Sequence, residues 1–180
     1  MAEKFTFFWN GPFSNWHPAT FVADGVKYNC SEQYMMAEKA RLFKDEASLK
    51  KIMASDSPKE QKACGRKISG FDKERWELIA RGVVYKGCYE KFNQNLDLLK
   101  KLLDTAGTTL VEASPYDCIW GIGLAETNPK ALDRATWRGK NWLGETLTKI
   151  REDLLKTVQS ELLRERNRID PKNTEPTKIS

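Results

Sequence analysis

The strongest constraint on the fold is a long helical repeat in the last third of the chain. Leu143, Leu147, Ile150, Leu154, Val158 and Leu162, with Leu155 beside them, recur at steps of three and four, a spacing that only a helix gathers onto one face. Gly139-Lys140-Asn141 opens this helix. Upstream, Ser57-Pro58-Lys59-Glu60 is a capping box with proline at the first helical position, which predicts a helix from 58 to near Gly70. Asp72 caps the next, carrying Trp76, Ile79 and Val83, with a break expected near Gly87. Leu96, Leu98, Leu99, Leu102 and Leu103 mark an amphipathic helix that stops near Gly107. Two further helices are expected, one over 46–55 and one from Ser31, as N-cap, to about Lys44. Strand signals are few and short: Phe5–Trp9, residues 108–113, and the β-type residues flanking Asp24-Gly25, a strong hairpin signal. The expected class is α+β, a mostly helical single domain around a small β-sheet.

Composition narrows the chemistry. With 180 residues, 40% of them hydrophobic, the chain suits one globular domain over 1–160, followed by a charged helix end and a disordered tail over 161–180. No apolar run has transmembrane length, and Met1–Phe5 lacks the pattern of a signal peptide, so a cytoplasmic monomer, or a nuclear one in a eukaryote, is expected. Cys30, Cys64, Cys88 and Cys118 lie far apart with no CxxC pair, so free thiols are expected and no metal site is. His17 is the only histidine and stands in a loop without a partner. Proton transfers in an enzyme of this composition therefore fall to carboxylates, lysine or tyrosine. The net charge of +5 is spread along the chain, which fits a phosphorylated ligand or modest nucleic-acid contact and not a dedicated DNA-binding stripe.

Within the helix that starts at Ser31, Glu32 and Lys39 are seven residues apart, so they return to within about 20° of each other on one face. Met35 and Met36 lie between them. Such a face is either a core helix with an ion pair and a snorkelling stem or the wall of an active site. In the second case Lys39, partly desolvated, is a nucleophile for an aldehyde-like carbon and Glu32 transfers protons. Other stretches carry a similar choice. The loop Asn10–Pro18 is dense in aromatics and is either a ligand wall or a loop pinned to the core. In Asp117-Cys118-Ile119-Trp120-Gly121-Ile122-Gly123 the glycines permit close backbone approach to a phosphate, or simply build a Trp-anchored turn. Gly139–Gly144 is an anion-binding helix start or an ordinary Asn cap. Arg66 clamps a phosphate or is a solvated surface residue.

Taken in order, Phe13-Ser14-Asn15-Trp16, Asp24-Gly25, Ser31-Glu32-Gln33-Tyr34 through Glu38-Lys39-Ala40, Gly65-Arg66, Trp76, Lys91-Phe92, Leu110-Val111-Glu112, Asp117 with Trp120–Gly123, and Gly139–Gly144 with Arg151 resemble the YbiA-like, or NADAR, family over about residues 5–155. The resemblance implies a compact α+β fold and N-glycosidase chemistry at ribose C1. Two substrate branches are known for the family: removal of ADP-ribose from guanine in nucleic acid, and hydrolysis of ribosylamino-pyrimidine phosphates of riboflavin synthesis. It implies Lys39 as nucleophile, Glu32 as general acid/base and Asp117 on the ribose hydroxyls or in proton transfer. Trp9, Asn15, Trp120 and Trp142 then line the pocket, Arg66 and the backbone of Gly121 to Gly123 hold phosphate, and Glu112 and Asn141 join the binding set. Lys91 is the second choice as nucleophile. The expected partners are an ADP-ribose or ribose-phosphate substrate, including ADP-ribosylated DNA or RNA, with no cofactor and no membrane. A non-catalytic module that reads ADP-ribose or NAD through the same loops is the competing class. Segment 124–138 is longer than in compact members and is expected to bear on substrate choice.

Overall fold

A computed structural model describes residues 3–169. The chain runs β1 (Phe5–Phe8), β2 (Phe21–Ala23), β3 (Val26–Tyr28), α1 (Ser31–Leu42), α2 (Glu46–Ala54), α3 (Pro58–Gly65), α4 (Lys73–Asn93), α5 (Leu96–Leu103), β4 (Thr109–Glu112) and α6 (Trp142–Ile169), with two short 3-10 turns at Pro129–Leu132 and Arg134–Thr136. The α+β expectation holds. The strands form two separate two-stranded ladders, β1 parallel to β4 and β2 antiparallel to β3. Asp24 and Gly25 turn the hairpin at φ 51° and 76°, the positive values a tight two-residue hairpin turn needs.

α1 packs against α2, α3 and α4, and α4 in turn packs against α5 and α6. The break expected at Gly87 does not occur: α4 is continuous, and Gly87 is there because a Cβ would run into the Tyr34 ring of α1. α3 ends at Gly65, short of the expected Gly70, where Arg66 and Lys67 turn back to the Lys62 and Cys64 carbonyls. A Cβ at Gly65 would strike the Met36 sulfur, so this glycine lets α3 close against α1. The N-cap of α1 is Cys30, not Ser31: its sulfur accepts the Gln33 N–H at 3.4 Å, and Ser31 is the first helical residue.

The edge of β4 away from β1 would leave backbone groups bare, and α6 covers it. Asn141 Nδ2 donates to the Leu110 carbonyl at 3.0 Å, its Oδ1 accepts from the Glu112 N–H at 2.9 Å, and Thr148 Oγ1 accepts from the Leu110 N–H at 2.9 Å. Gly144 lets the helix come this near, since a Cβ there would collide with the Leu110 carbonyl oxygen. Residues 161–169 continue α6. The disorder expected from Asp170 to Ser180 lies outside the described residues. Among the described residues no helix is long and apolar enough to cross a membrane.

Candidate active site

A cavity of about 660 Å³ opens between α1, the loop after β1, the α3–α4 junction, the loop after β4 and the start of α6. Such a volume is in the range of small-molecule sites. α1 supplies one wall with Glu32, Met35, Met36 and Lys39, a single stripe at helical spacing. α3 adds Lys62, Gly65 and Arg66. The loop after β1 adds Asn10, Ser14, Asn15 and Trp16, and β4 with its following loop adds Glu112, Ser114, Tyr116, Asp117, Ile119 and Trp120.

Lys39 is half-buried. Its Nζ donates to the Gly65 carbonyl at 2.8 Å and sits 4.0 Å from the centre of the Phe71 ring. Burial lowers its pKa, the Glu32 carboxylate opposes that shift, and Arg66 adds to it. Glu32 is 2% exposed. Burial pushes its carboxyl up to about 7, with Lys62 and the Trp16 indole pulling it down and Asp117 pushing it further up. Glu112 is raised to about 8, first by burial and then by Asp117. Glu32 Oε1 and Glu112 Oε2 are buried with no hydrogen-bond partner among the described residues. Two unpartnered carboxyl oxygens at one cavity are costly unless they are protonated or meet a ligand. Asp117 takes the N–H groups of Ile119 and Trp120 on Oδ1 at 2.9 and 2.7 Å, which shapes its loop. Trp120 and Trp142 meet edge to face at 5.7 Å, and the exposed pair Trp9 and Tyr116 stands at the mouth with exposed Trp16. The arrangement offers an amine of lowered pKa, two carboxyls able to hold protons near neutrality, aromatic faces and a cationic side formed by Lys62 and Arg66.

Residues 7–155 match the family model described as NADAR domain. The chain belongs to the NADAR family. It is 42% identical over 159 residues to protein irg-1 of Caenorhabditis elegans, covering 79% of this chain and 74% of that one. It is 42% identical over 146 residues to N-glycosidase R617 of Acanthamoeba polyphaga mimivirus, covering 78% and 86%. The NMR structure of the Escherichia coli protein YbiA superposes with a TM-score of 0.72 at 30% identity, covering 88% of this chain and 89% of that one. In E. coli K12 that relative is called N-glycosidase YbiA. The expected family and the expected glycosyl hydrolase class agree with these relatives.

In this NADAR chain, nine of the expected site residues line the cavity: Lys39, Glu32, Asp117, Trp9, Asn15, Arg66, Glu112, Trp120 and Trp142. Gly121, Gly123 and Asn141 do not. The N–H groups of Ile122 and Gly123 go to the carbonyls of Glu112 and Asp117, so these two are not free for a phosphate. A Cβ on Gly121 would stand 2.8 Å from the Glu112 carbonyl oxygen, and Gly123 has φ 67°, so both glycines serve the turn. The anion-binding reading of the α6 start fails for a related reason. The N–H groups of Asn141, Trp142 and Leu143 are taken by the carbonyls of Gly121, Ile119 and Trp120. Asn141 is fully buried on β4. Lys91, the second choice as nucleophile, is also fully buried and does not line the cavity. Segment 124–138 contributes no lining residue; Leu124 and Ala131 pack with Val111 and Ile122 instead.

Sequence reasoning left Lys62, Trp16, Tyr116 and Phe71 out of the site. Lys62 was legible, being one turn before Arg66 on the same helix face. Trp16 closes the Phe13-Ser14-Asn15-Trp16 motif. Phe71 and Tyr116 arrive through loop geometry, which leaves no periodic trace.

Proposed function

We propose that this chain is a lysine-dependent N-glycosidase that cleaves the bond between ribose C1 and an exocyclic base nitrogen, removing ADP-ribose from guanine in nucleic acid. The observation that carries the reading is Lys39, an amine of lowered pKa on one helical wall with Glu32, a carboxyl that holds its proton to about pH 7. An N-glycoside of an exocyclic amine opens its ribose to an imine. Neutral Lys39 Nζ attacks C1, the C1–N bond to the base breaks, and Glu32 gives the departing amine its proton. The lysine imine left behind is hydrolysed by water, which returns the sugar as an aldehyde that recloses and regenerates Lys39. Glu112 and Asp117 face the same space and suit the ribose hydroxyls. Arg66 and Lys62 suit the phosphates.

The preference for a nucleic-acid substrate rests on the mouth of the cavity. Trp9, Tyr116 and Trp16 are exposed there, and exposed aromatics beside cations are what a flanking base and its phosphate use. The test is a side-by-side assay of ADP-ribosylated DNA and a ribosylamino-pyrimidine phosphate, following base release. Faster release from the DNA supports the reading. Turnover of the pyrimidine phosphate alone moves the substrate to the riboflavin branch. Binding of ADP-ribose with no base release from either makes the chain a reader module.

A further inference from the structure

Lys91 has no role in the chemistry above, yet it is one of the most completely enclosed side chains in the molecule. Among the described residues it pairs with no carboxylate. Burial lowers its pKa to about 8, opposed by the Cys88 and Cys30 thiols. Its Nζ instead donates to two carbonyls of one loop, Pro12 at 2.8 Å and Ser14 at 2.9 Å. Three residues earlier on the same face of α4, the Cys88 thiol lies 3.4 Å from Asn15 Oδ1. From the other side the Glu32 N–H donates to the Asn15 carbonyl at 3.0 Å, and the Phe13 ring packs against Phe8 and Phe92. The held loop is the one whose Ser14, Asn15 and Trp16 form a wall of the cavity.

We infer that Lys91 is a positioning residue, its buried Nζ fixing the loop of residues 10–17 so that Asn15 and Trp16 stand at the substrate. Within the loop the Ser14 and His17 N–H groups make turns onto the Gly11 and Ser14 carbonyls, and donors from outside, Lys91 and the Glu32 N–H, fix where those turns stand. An enclosed cation bound to two of them holds the loop more firmly than neutral donors. The loop in turn carries the Asn15 carbonyl onto the first turn of α1, beside Glu32. Lys91 thus connects the centre of α4 to one wall of the cavity without touching its contents.

The functional arm of the test uses ADP-ribose as probe and rests on the proposed N-glycosidase reading. In Lys91→Met, ADP-ribose affinity should fall by about 10-fold or more, with KM rising likewise and kcat held within about 3-fold, because the loss is in binding geometry. In a Trp16→Ala background the same change should have a much smaller effect, since both act through one loop. A merely structural role would lower stability and leave that coupling at zero. Unchanged affinity, a loss confined to kcat, or a borohydride adduct on Lys91 would overturn the inference. The unaltered protein gives a second arm that needs no variant. At pH 6.5 the Lys91 ammonium should show a slowly exchanging NMR signal with couplings to the Pro12 and Ser14 carbonyl carbons, and absence of those couplings also overturns it. If wild-type protein binds no ADP-ribose, the ADP-ribose substrate reading is what fails, and the couplings still decide the placement of Lys91.

Discussion

Replacing Glu32 by Gln should stabilise the protein at alkaline pH while sharply lowering its activity. Glu32 is 2% exposed, and its carboxyl moves from an ordinary 4.5 to about 7, chiefly through burial. Each pH unit of that displacement corresponds to about 1.4 kcal/mol, so ionising Glu32 inside the fold costs about 3 kcal/mol more than in the unfolded chain. The sign follows from proton binding. Below 4.5 both states hold the proton and nothing is lost. Between 4.5 and about 7 the folded state binds more protons than the unfolded, so stability falls as pH rises, and above about 7 the full loss is present. Gln stands in for the protonated form and avoids the loss. At roughly 3 °C per kcal/mol for a chain of this size, Glu32→Gln should melt roughly 10 °C above wild type at pH 8 and level with it at pH 4. Thermal melts by circular dichroism at both pH values, with base release assayed on the same samples, check this. Equal melting points at pH 8, or a less stable variant, would refute the reasoning, because the Glu32 charge would then be compensated in the fold.

Other expectations concern the same site and its frame. A general acid that holds its proton to about pH 7 implies that kcat/KM declines as pH rises through that value, and that this limb is missing from the residual activity of Glu32→Gln; a limb that persists in the variant assigns it to another group. Arg66→Ala should raise KM by about 10-fold with kcat little changed, as loss of a phosphate contact does, and the difference should shrink at high salt. Gly144→Ala should cost about 3 kcal/mol or more, because its Cβ meets the rigid Leu110 carbonyl. Gly65→Ala should cost about 1 kcal/mol, because the flexible Met36 side chain can move. Denaturant unfolding of the two variants tests that order.

Sequence spacing was informative wherever one element carried its own message. The Glu32–Lys39 stripe, the Asp24-Gly25 turn, the Ser57-Pro58 start of α3 and the periodic face of α6 all follow from local rules. The misreadings arose where two elements share a residue. Gly87 signals a helix break in isolation, but its partner is the Tyr34 ring. Cys30 is a poor cap by type, yet its sulfur is held against Gln61 and the Gln33 N–H. Gly121, Gly123 and Asn141 look like an anion cradle along the chain. In space, the loop after β4 and the start of α6 satisfy one another's backbone, and no N–H in Ile122–Gly123 or Asn141–Leu143 remains for a phosphate. The mouth of the cavity was the least legible part. Phe71 comes from the α3–α4 junction and Tyr116 from the loop after β4, and nothing along the chain connects them with Trp9.

The central claim is that Lys39 forms a covalent imine with ribose C1. Borohydride added during turnover, followed by mass spectrometry of proteolytic fragments, tests it directly. The account predicts a sugar adduct on the peptide containing Lys39, and neither adduct nor base release in Lys39→Ala. Base release at a near-normal rate by Lys39→Ala, or an adduct mapped to any other lysine, would contradict it.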